Sequence, residues 1–501
     1  MLTIRASETD ALAPNSPERR WAYNALDCCA THGSATEMRQ LVADDPCFTR
    51  VYEAERRLLA PALAVSMRGI RVDTDAASWG ARCLKRAMTK CERHVQKLAA
   101  SPDLNIGSWQ QLRRLFYGTW GLAELRNKDG AVSTDESVMA RIRDNVKLEW
   151  TRPKGERPPE RIVREAAAAI LKFRAWAKER EIYSARLHNG RMRCTLSVGS
   201  TETWRFSSSK SALGDGRNLQ NIKKPRRIIF VPDPGFTLYQ IDQRQAESLT
   251  VAYLSCDEGY INAHHTSDTH LAVARLCAPD LDWPRHDERC PTCNGARCPD
   301  CSGTGTAERW FAERPGSGYR HLTLRDLYKR IQHLLNYGGT YHAVARTLHI
   351  SEQEAAHQRD LYFGAFPGIP AWHSEVIAQI KDNGVVYYPG GYKRIVLGHR
   401  HDPATHRDIF ASFGQSIIGW INHTAFSSIW HEFDGSFLSG DAGPPLQVLM
   451  HGHDAVLYQS RSDDLAHQAH QLASSITWPM PGGTMQVPWD FKSGHNWKAV
   501  S

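Results

Sequence analysis

The sequence predicts a mixed α+β fold, because long helical segments occur together with a few short strand-like runs. Apolar and basic residues recur at helical spacing over 81–98 and 161–180. A β-prone apolar run begins at Leu238, after a Pro-Asp-Pro-Gly turn, and becomes helix-compatible just beyond Asp242. Two further apolar runs meet at a glycine-containing bend within 448–458, which indicates a hairpin.

Length and composition limit the kind of protein this can be. A chain of 501 residues can bury a large core, and we expect two to four structural units. A hydrophobic content of 41% excludes a mostly disordered chain, and a net charge of +8 permits a nucleic-acid partner without requiring one. There is no apolar run of about 18 residues, and the N-terminal residues lack the apolar segment of a signal peptide. We therefore expect a cytoplasmic protein with no membrane partner.

Two aspartates are candidate ligands for a divalent cation. Asp242 is expected at the end of a strand, and Asp454 at the bend of the hairpin. Carboxylates at such positions could hold a cation that acts on phosphate, and a site of this kind needs ligands from more than one part of the chain. Either aspartate alone would more often be a turn or cap residue, so the interpretation depends on a third segment.

The third segment carries Arg325, Lys329, His333 and Tyr337 at steps of four residues. On a helix this spacing produces one stripe of side chains. Two cations followed by two rings suit a triphosphate and a base, through charge-assisted hydrogen bonds and then stacking. A solvated basic face is the alternative, but it does not predict the aromatic end.

In this order, the three segments resemble the motifs of family A DNA polymerases, the DNA polymerase I type. Residues 242–247 resemble the first metal motif of the family, residues 325–338 its nucleotide-binding helix, and residues 453–454 its second metal motif. The resemblance implies a right-hand architecture with an antiparallel palm sheet, a helical thumb and helical fingers.

The resemblance extends to the part of the family that binds the primer. Residues 201–208 and 218–222 are similar to that segment, and Gln415 lies on a predicted helix ahead of the second metal motif. Hydrogen-bonding side chains can test the minor groove, where acceptors occupy similar positions in every base pair. The expected DNA contacts are Arg205, Asn218, Gln220, Asn221, Gln415 and His453.

The resemblance also implies the order of the domains along the chain. A helical arm rich in Lys and Arg would grip DNA through its phosphates, although any helical bundle can carry such charges. The expected domains are an exonuclease remnant at 1–50, a palm entry at 51–75, a thumb at 76–194, palm at 195–260, fingers at 261–395 and palm at 396–501.

The implied activity is template-directed DNA synthesis from deoxynucleoside triphosphates on a primer–template. By resemblance, Asp242 and Asp454 bridge two Mg²⁺ ions. Arg325 and Lys329 hold the triphosphate, and Lys329 also gives a proton to the pyrophosphate. His333 stands beside the sugar, Tyr337 packs at the template base, and Glu247 excludes the 2′-hydroxyl of ribonucleotides.

Three positions depart from the family pattern. Trp204 precedes Arg205 where the family usually has a glycine, and the sequence does not indicate the role of the larger ring. Ala455 follows Asp454 where the family has an acidic residue, so the metal site would depend on two side-chain carboxylates, and we expect activity to survive. His333 replaces a Phe or Tyr, so discrimination against dideoxynucleotides cannot be inherited from either pattern.

Four clustered cysteines predict a structural zinc site within residues 290–301. Two C-x-x-C pairs separated by four residues can close four thiolates around one Zn²⁺, and a closed site of this kind leaves no position for catalysis. The pattern is similar to the cysteine-rich repeat of J-domain chaperones, and family A polymerases as a class lack it. A reactive thiol pair or a disulfide is the alternative. The four residues are Cys290, Cys293, Cys298 and Cys301.

Residues 20–27 resemble the last motif of the family's proofreading exonuclease, with Tyr23 and Asp27 at the matching spacing. No upstream carboxylates complete a two-metal site, so we expect a structural remnant without proofreading. Docking of a separately encoded exonuclease subunit on this segment is an alternative. The missing exonuclease also suggests a phage-like role in replication.

Two other functions compete with DNA synthesis. A catalytically inactive DNA-binding scaffold could keep the polymerase shape and recruit replication partners, but the intact pair of Asp242 and Asp454 disfavours it. A single-subunit RNA polymerase is disfavoured by Glu247.

Overall fold

The structure is a computed structural model that describes residues 12–13, 15–127, 129–144, 147–266, 268–285, 287–296, 298–314 and 322–501. The N-terminal residues that bear on the signal-peptide prediction lie outside the described residues. The chain forms two compact units. The first comprises the described residues up to Ala64, Leu196–Ser207 and Gln240–Phe491, and the second comprises Val65–Thr195, Ser208–Tyr239 and Lys492–Ser501.

The chain is mainly helical, and several helices begin at a capping side chain. Ser108 and Asp135 accept hydrogen bonds from the first turns of their helices. In chain order the helices are α1 (Pro17–Asp44), α2 (Pro46–Arg68), α3 (Thr74–Leu98), α4 (Trp109–Arg113), α5 (Glu136–Arg143), α6 (Glu160–Tyr183), α7 (Ala246–Leu254), α8 (Glu258–Thr266), α9 (Thr269–Cys277), α10 (Ala307–Glu313), α11 (Leu324–Asn336), α12 (Tyr341–Leu348), α13 (Glu352–Ala365), α14 (Gly368–Asp382), α15 (Pro403–Ile429), α16 (Asp463–Ser474) and α17 (Trp497–Val500).

The strands are short and pair in small sheets. The strands are β1 (Ile70–Arg71), β2 (Arg191–Met192), β3 (Thr195–Ser197), β4 (Ser207–Ser209), β5 (Thr237–Gln243), β6 (Val385–Tyr388), β7 (Tyr392–Ile395), β8 (Leu446–His451), β9 (Ala455–Ser460), β10 (Thr477–Met480), β11 (Gly483–Gln486) and β12 (Trp489–Gly494). The largest sheet has four strands in the order β12-β5-β9-β8. The predicted hairpin is the antiparallel pair of β8 and β9.

The second unit is mainly helical. Both α3 and α5 pack against α6, and their apolar faces enclose one core. Ile106, Phe116, Val138, Ile142 and Ile170 are fully buried in it. The two helical periods predicted from the sequence lie within α3 and α6.

The first unit is built around a buried helix and a covered sheet. Buried residues occur on every side of α15, from Ile409 to Ile429, as expected for a helix enclosed by protein. Strands β8 and β9 are buried along their whole length, and α15 packs against both. No described helix combines the length and the apolar composition that crossing a lipid bilayer requires.

Candidate active site

Asp242 and Asp454 lie at the same edge of the four-stranded sheet. Asp242 is the next-to-last residue of β5, and Asp454 ends the bend that leads into β9. The backbone N–H of Gln243 donates to the carbonyl of Asp454 at 2.9 Å. This hydrogen bond joins the two backbone segments that carry Asp242 and Asp454. Asp454 is exposed and Asp242 is half-buried. We call Asp242, Gln243 and residues 452–454 the aspartate corner.

The bend of the aspartate corner is held from inside the core. The side-chain amide of Asn422, a buried residue of α15, donates to the carbonyl of Gly452 at 3.0 Å. The N–H of Gly452 in turn donates to the carbonyl of Ala455 at 2.7 Å, which closes the turn. The position of Asp454 is therefore set by backbone bonds and one buried amide.

Two buried histidines lie behind the bend. His423 Nε2 donates to the carbonyl of Trp204 at 2.6 Å, and His423 Nδ1 lies 3.0 Å from His451 Nε2. The ring of Phe206 lies 4.4 Å from each imidazole, centroid to centroid. Burial lowers the pKa of His423 to about 4 and holds the pKa of His451 well below its usual value. Both rings are therefore neutral at pH 7.

Trp204 stands where the family usually has a glycine. Its φ of 54° lies in the left-handed region, which a bulky residue rarely adopts. The indole packs 4.5 Å from the ring of Trp420 and 5.6 Å from that of Tyr388, centroid to centroid. Together with the bond from His423, these contacts fix the backbone just before Arg205 against α15. The Trp204 ring therefore restrains, through aromatic contacts, a backbone position that a glycine would leave flexible.

The structure brings two predicted site residues, Arg205 and His333, to the carboxylate of a third, Glu247. Arg205 Nη2 donates to Glu247 Oε1 at 3.1 Å, and His333 Nδ1 lies 3.5 Å from Glu247 Oε2. Glu247 lies in the first turn of α7, directly after the strand that carries Asp242. Burial lowers the pKa of His333, although the charge of Glu247 opposes the shift.

The predicted stripe of side chains runs along α11, but the helix ends one residue earlier than the pattern implies. Tyr337 is the C-cap of α11 and not part of its last turn. Its ring still stacks on His333, with centroids 6.3 Å apart and planes inclined by 25°. A Cβ on Gly414 of α15 would lie 2.9 Å from the Tyr337 hydroxyl, so this glycine leaves room for the phenol. Burial raises the pKa of Tyr337 well above its usual value.

The two cations of the stripe have different surroundings. Lys329 is exposed, and among the described residues it makes no ion pair or hydrogen bond. Arg325 is mostly buried, and its Nε donates to Asp268 Oδ2 at 2.9 Å. Lys329 therefore presents a free ammonium group, whereas Arg325 is already anchored.

Several residues of this region were not predicted from the sequence. Asp268 has a local signal, since it caps α9 by accepting from His270 N–H, but its pairing with Arg325 spans 57 positions and has none. Arg346 and Arg407 line an open depression of about 450 Å³ that His333 and Tyr337 also line. Isolated arginines carry no pattern that would have identified them.

The remaining predicted DNA contacts are divided between the two units. Gln415 is half-buried on α15 and His453 is exposed in the bend, both in the first unit. The second unit contains Asn218, Gln220 and Asn221, and Asn218 Oδ1 accepts from the backbone of Asn221 at 3.3 Å.

The four cysteines form a compact cluster in the first unit. The four Sγ atoms lie within 4.8 Å of one another, and Cys290 and Cys301 are buried. The Sγ atoms of Cys298 and Cys301 are 3.8 Å apart, as are those of Cys293 and Cys301, far beyond the roughly 2.05 Å of a disulfide. A tetrahedron with Zn–S bonds of about 2.3 Å has edges of about 3.8 Å. The cluster fits a zinc ion, and the cysteines are not disulfide-bonded.

Tyr23 and Asp27 lie on α1, a helix of 28 residues with no buried residue. Both side chains are exposed. In the part of the chain that the structure describes, the cysteine cluster is the only group of three or more potential metal ligands, so no such group includes Asp27.

Comparison with known proteins agrees with these motifs. The sequence model for DNA polymerase family A matches residues 78–282. The DNA polymerase I of Pseudomonas aeruginosa is 25% identical over 506 aligned positions, which cover 96% of this chain and 48% of that protein. The thermostable DNA polymerase I of Thermus aquaticus is 25% identical over 360 positions, covering 69% of this chain and 36% of that protein. The chain thus spans about half, or less, of the length of these relatives.

A solved structure shares the fold. It is the POL domain of Pol1 from M. smegmatis in complex with DNA primer-template and dNTP, with a TM-score of 0.70 and 19% identity, covering 94% of this chain and 75% of that one. The predicted α+β fold class with the polymerase architecture is confirmed. The match of the family model to residues 78–282, the relatives and the shared fold all agree with the resemblance to DNA polymerase family A.

Proposed function

We propose that this chain catalyses template-directed DNA synthesis. In the proposed reaction, a primer 3′-hydroxyl attacks the α-phosphorus of a deoxynucleoside triphosphate, and pyrophosphate leaves. The aspartate corner carries the proposal, because two carboxylates from distant parts of the chain stand on backbones that are joined by a hydrogen bond. The match to the model of DNA polymerase family A, and a structural neighbour solved with DNA primer-template and dNTP, support these two partners.

The aspartate corner fits the proposed Mg²⁺ ions by its donor chemistry. Mg²⁺ prefers hard oxygen ligands and is commonly held by one or two carboxylates together with substrate phosphates and water. Asp242 and Asp454 supply such a pair, and Ala455 adds no third side-chain carboxylate. When bound, two ions would supply activation of the primer hydroxyl and charge stabilisation at the leaving oxygens.

Helix α11 would bind the triphosphate in this reaction. The fork of Arg325 and the ammonium of Lys329 suit phosphate oxygens. Lys329 is exposed and unpaired among the described residues, so it could give a proton to the departing pyrophosphate. Tyr337 would pack at the template base, and a swing of α11 on correct pairing would complete the site by induced fit.

Glu247 is proposed to select the sugar. Arg205 fixes one of its carboxylate oxygens at 3.1 Å, and His333 lies beside the other at 3.5 Å. A carboxylate held in this way would exclude a 2′-hydroxyl by its position and its charge. Gln415, His453, Asn218, Gln220 and Asn221 are proposed to contact the DNA.

The domain assignment and the second cofactor are also proposals. Residues 76–194 would form the thumb, 261–395 the fingers, and 51–75, 195–260 and 396–501 the palm. The distances between the Sγ atoms of the cysteine cluster support one structural Zn²⁺. Incubation of the purified chain with a mismatched primer end tests the proposed lack of proofreading around Tyr23 and Asp27, since release of the mismatched nucleotide would contradict it.

Primer extension on a defined template tests the proposal. Asp242→Asn and Asp454→Asn should each lower the extension rate on the order of 10²–10³-fold, because a metal site contributes several kcal/mol of transition-state stabilisation. Asp464→Asn, which changes an exposed aspartate on α16, is the control and should leave the rate unchanged.

DNA binding separates the enzyme from the scaffold. The two variants should bind primer–template as tightly as the parent protein, measured by fluorescence anisotropy. A parent protein that binds DNA but never extends a primer with Mg²⁺ and dNTPs would instead support the inactive scaffold.

A further inference from the structure

Among the described residues, Arg325 donates hydrogen bonds through only one of its three nitrogens. Its Nε donates to Asp268 Oδ2 at 2.9 Å and lies 3.8 Å from Glu313 Oε1. Among the described residues, neither terminal nitrogen of this guanidinium makes a hydrogen bond. An arginine held by Nε keeps its two-nitrogen fork available, and that fork matches phosphate geometry.

A second arginine completes the anchor. Arg309 pairs with Asp268 Oδ2, and its Nη2 lies 2.7 Å from Glu313 Oε1. All four side chains are between 14% and 18% exposed, so solvent screens the charges only weakly. Burial acts to raise the pKa of Asp268, but Arg325 and Arg309 outweigh it and hold this pKa below its usual value. We call Asp268, Arg309, Glu313 and Arg325 the arginine network.

Half of the arginine network lies on the helix that follows the cysteine cluster. Arg309 and Glu313 lie on α10, a helix of seven residues that starts directly after the cysteine cluster. A helix this short is unstable alone and depends on what holds its ends. Thr306, the last residue before α10, caps it by accepting from the N–H of Arg309 at 3.4 Å.

The base of the cysteine cluster fixes the start of α10. Cys290 N–H donates to the carbonyl of Gly305 at 2.8 Å, and Ala307 N–H donates to the carbonyl of Glu288 at 2.9 Å. The two chain segments that enter and leave the cluster are therefore bonded to each other. The N–H of Gly305 also lies 3.2 Å from Cys301 Sγ, which links the start of α10 to a proposed metal ligand.

We propose that the cysteine cluster, when loaded with Zn²⁺, positions Arg325 through α10 and so sets the affinity of the chain for a nucleoside triphosphate. This inference rests on the proposed function. Without the metal, four sulfurs within 4.8 Å lose the charge that holds them together, and the turn that carries α10 is released. Arg309 and Glu313 then no longer fix the guanidinium of Arg325 before the triphosphate arrives. Arg325 is thereby a binding residue, and Arg309 and Glu313 are positioning residues.

The first test removes the metal. In the full chain, Cys293→Ser combined with Cys298→Ser should abolish a bound zinc stoichiometry of about one by native mass spectrometry. The dissociation constant of a dNTP, measured by calorimetry with a dideoxy-terminated primer–template, should rise roughly 5- to 20-fold. The KM for dNTP should rise with it, while kcat changes little. Cys256→Ser, which alters an exposed cysteine outside the cluster, is the control.

The second test keeps the zinc and removes the ion pairs between α10 and Arg325. It applies even if the cysteine variant does not fold. Glu313→Gln and Asp268→Asn should raise the same dissociation constant while zinc stays bound, and Asn still caps α9. Glu308→Gln on the same helix, which pairs with Arg275 at 3.0 Å, is the control. Glu313→Gln combined with loss of zinc should cost little more than loss of zinc alone, because both act through one path.

Two results would overturn the inference. One is an unchanged dissociation constant in a folded, zinc-free chain, or in Glu313→Gln compared with Glu308→Gln. The other is tighter binding, which would mean that the acids compete with phosphate for Arg325. Neither result bears on the proposed function. The proposed function fails if the unaltered protein cannot extend a primer. In that case, equilibrium binding of the triphosphate would still test the role of the cysteine cluster.

Discussion

The aspartate corner and helix α11 are held in place by opposite kinds of interaction. Backbone hydrogen bonds and a buried, uncharged amide and imidazole pair hold the corner, through Asn422, His423 and His451. Charged groups hold the side chains of α11, through Asp268 on Arg325 and Glu247 beside His333.

This difference implies that the aspartate corner is preformed, whereas the side chains of α11 can rearrange when a ligand binds. Neutral buried contacts are little affected by salt or by an incoming anion, so the carboxylates of Asp242 and Asp454 keep their places. Ion pairs can exchange partners, so a triphosphate can use the free nitrogens of Arg325 and draw on Lys329. In the proposed reaction, the corner would be rigid and α11 adjustable.

Among the substitutions that compare these two regions, removing the ammonium group of Lys329 should have the largest effect. Lys329→Ala should lower kcat/KM for dNTP on the order of 100-fold, because it removes a charge from the phosphates and a proton donor. Arg330→Ala, the exposed neighbour on the same helix, is the matched control. Equal effects of the two substitutions would mean that only the general charge of α11 matters. Steady-state primer extension at varied dNTP concentration measures both.

Breaking the inner support of the corner should cost both activity and stability. Asn422→Ala leaves the carbonyl of Gly452 without its buried donor, which should lower the free energy of unfolding by about 1–3 kcal/mol and kcat by about tenfold or more. Thr424→Ala, an exposed change on the same helix, is the control. A stability loss without a loss of kcat would show that the bend does not position Asp454. Urea unfolding and primer extension test the two effects.

The buried histidines behind the aspartate corner and the arginine network should also respond to different pH ranges. The folded-state pKa of His423, about 4, lies below the unfolded value of about 6.5. As the pH falls through this range, the unfolded chain binds a proton at His423 and the native chain does not. The free energy of unfolding therefore falls by about 1.4 kcal/mol per pH unit. Because the pKa of Asp268 is lowered, its contribution is lost only below about pH 3.9.

Urea unfolding at pH 7.5, 6.5 and 5.5 measures this dependence. His423→Gln should reduce the proton uptake linked to unfolding at pH 5.5 by about one proton, whereas Asp268→Asn should leave it unchanged. An unaltered proton uptake in His423→Gln would contradict the neutral state assigned to the His423 ring.

Sugar selection should show the smallest effect of the set. Glu247→Gln keeps the shape of the side chain but removes the charge that Arg205 and His333 face, so ribonucleotide incorporation should rise by a few-fold. Glu247→Ala should raise it further because it also removes the bulk. A competition between dNTP and NTP on one template provides the ratio. An unchanged ratio in both variants would remove Glu247 from sugar selection.

Local chemistry explains what the sequence could predict. A turn before β5 and a glycine-containing bend located Asp242 and Asp454, and steps of four residues located the stripe of α11. The spacing of the cysteines likewise predicted a cluster that the structure forms. Each of these signals lies within about a dozen residues.

Long-range contacts explain what the sequence could not predict. The bond from Asn422 to Gly452 spans 30 positions, and the pair of Arg325 and Asp268 spans 57. No periodicity marks such partners. The role of Trp204 could likewise not be predicted from the sequence, because the rings that pack against it, such as Trp420, lie far along the chain.

Binding of Mn²⁺, followed by electron paramagnetic resonance in the presence of primer–template and dNTP, tests the shared metal site most directly. The proposal predicts that Asp242→Asn and Asp454→Asn each remove most of the tight binding, and that the double variant loses little more than either single variant. Independent, additive losses, or tight binding that survives in both single variants, would contradict the claim that the two aspartates hold their cations together.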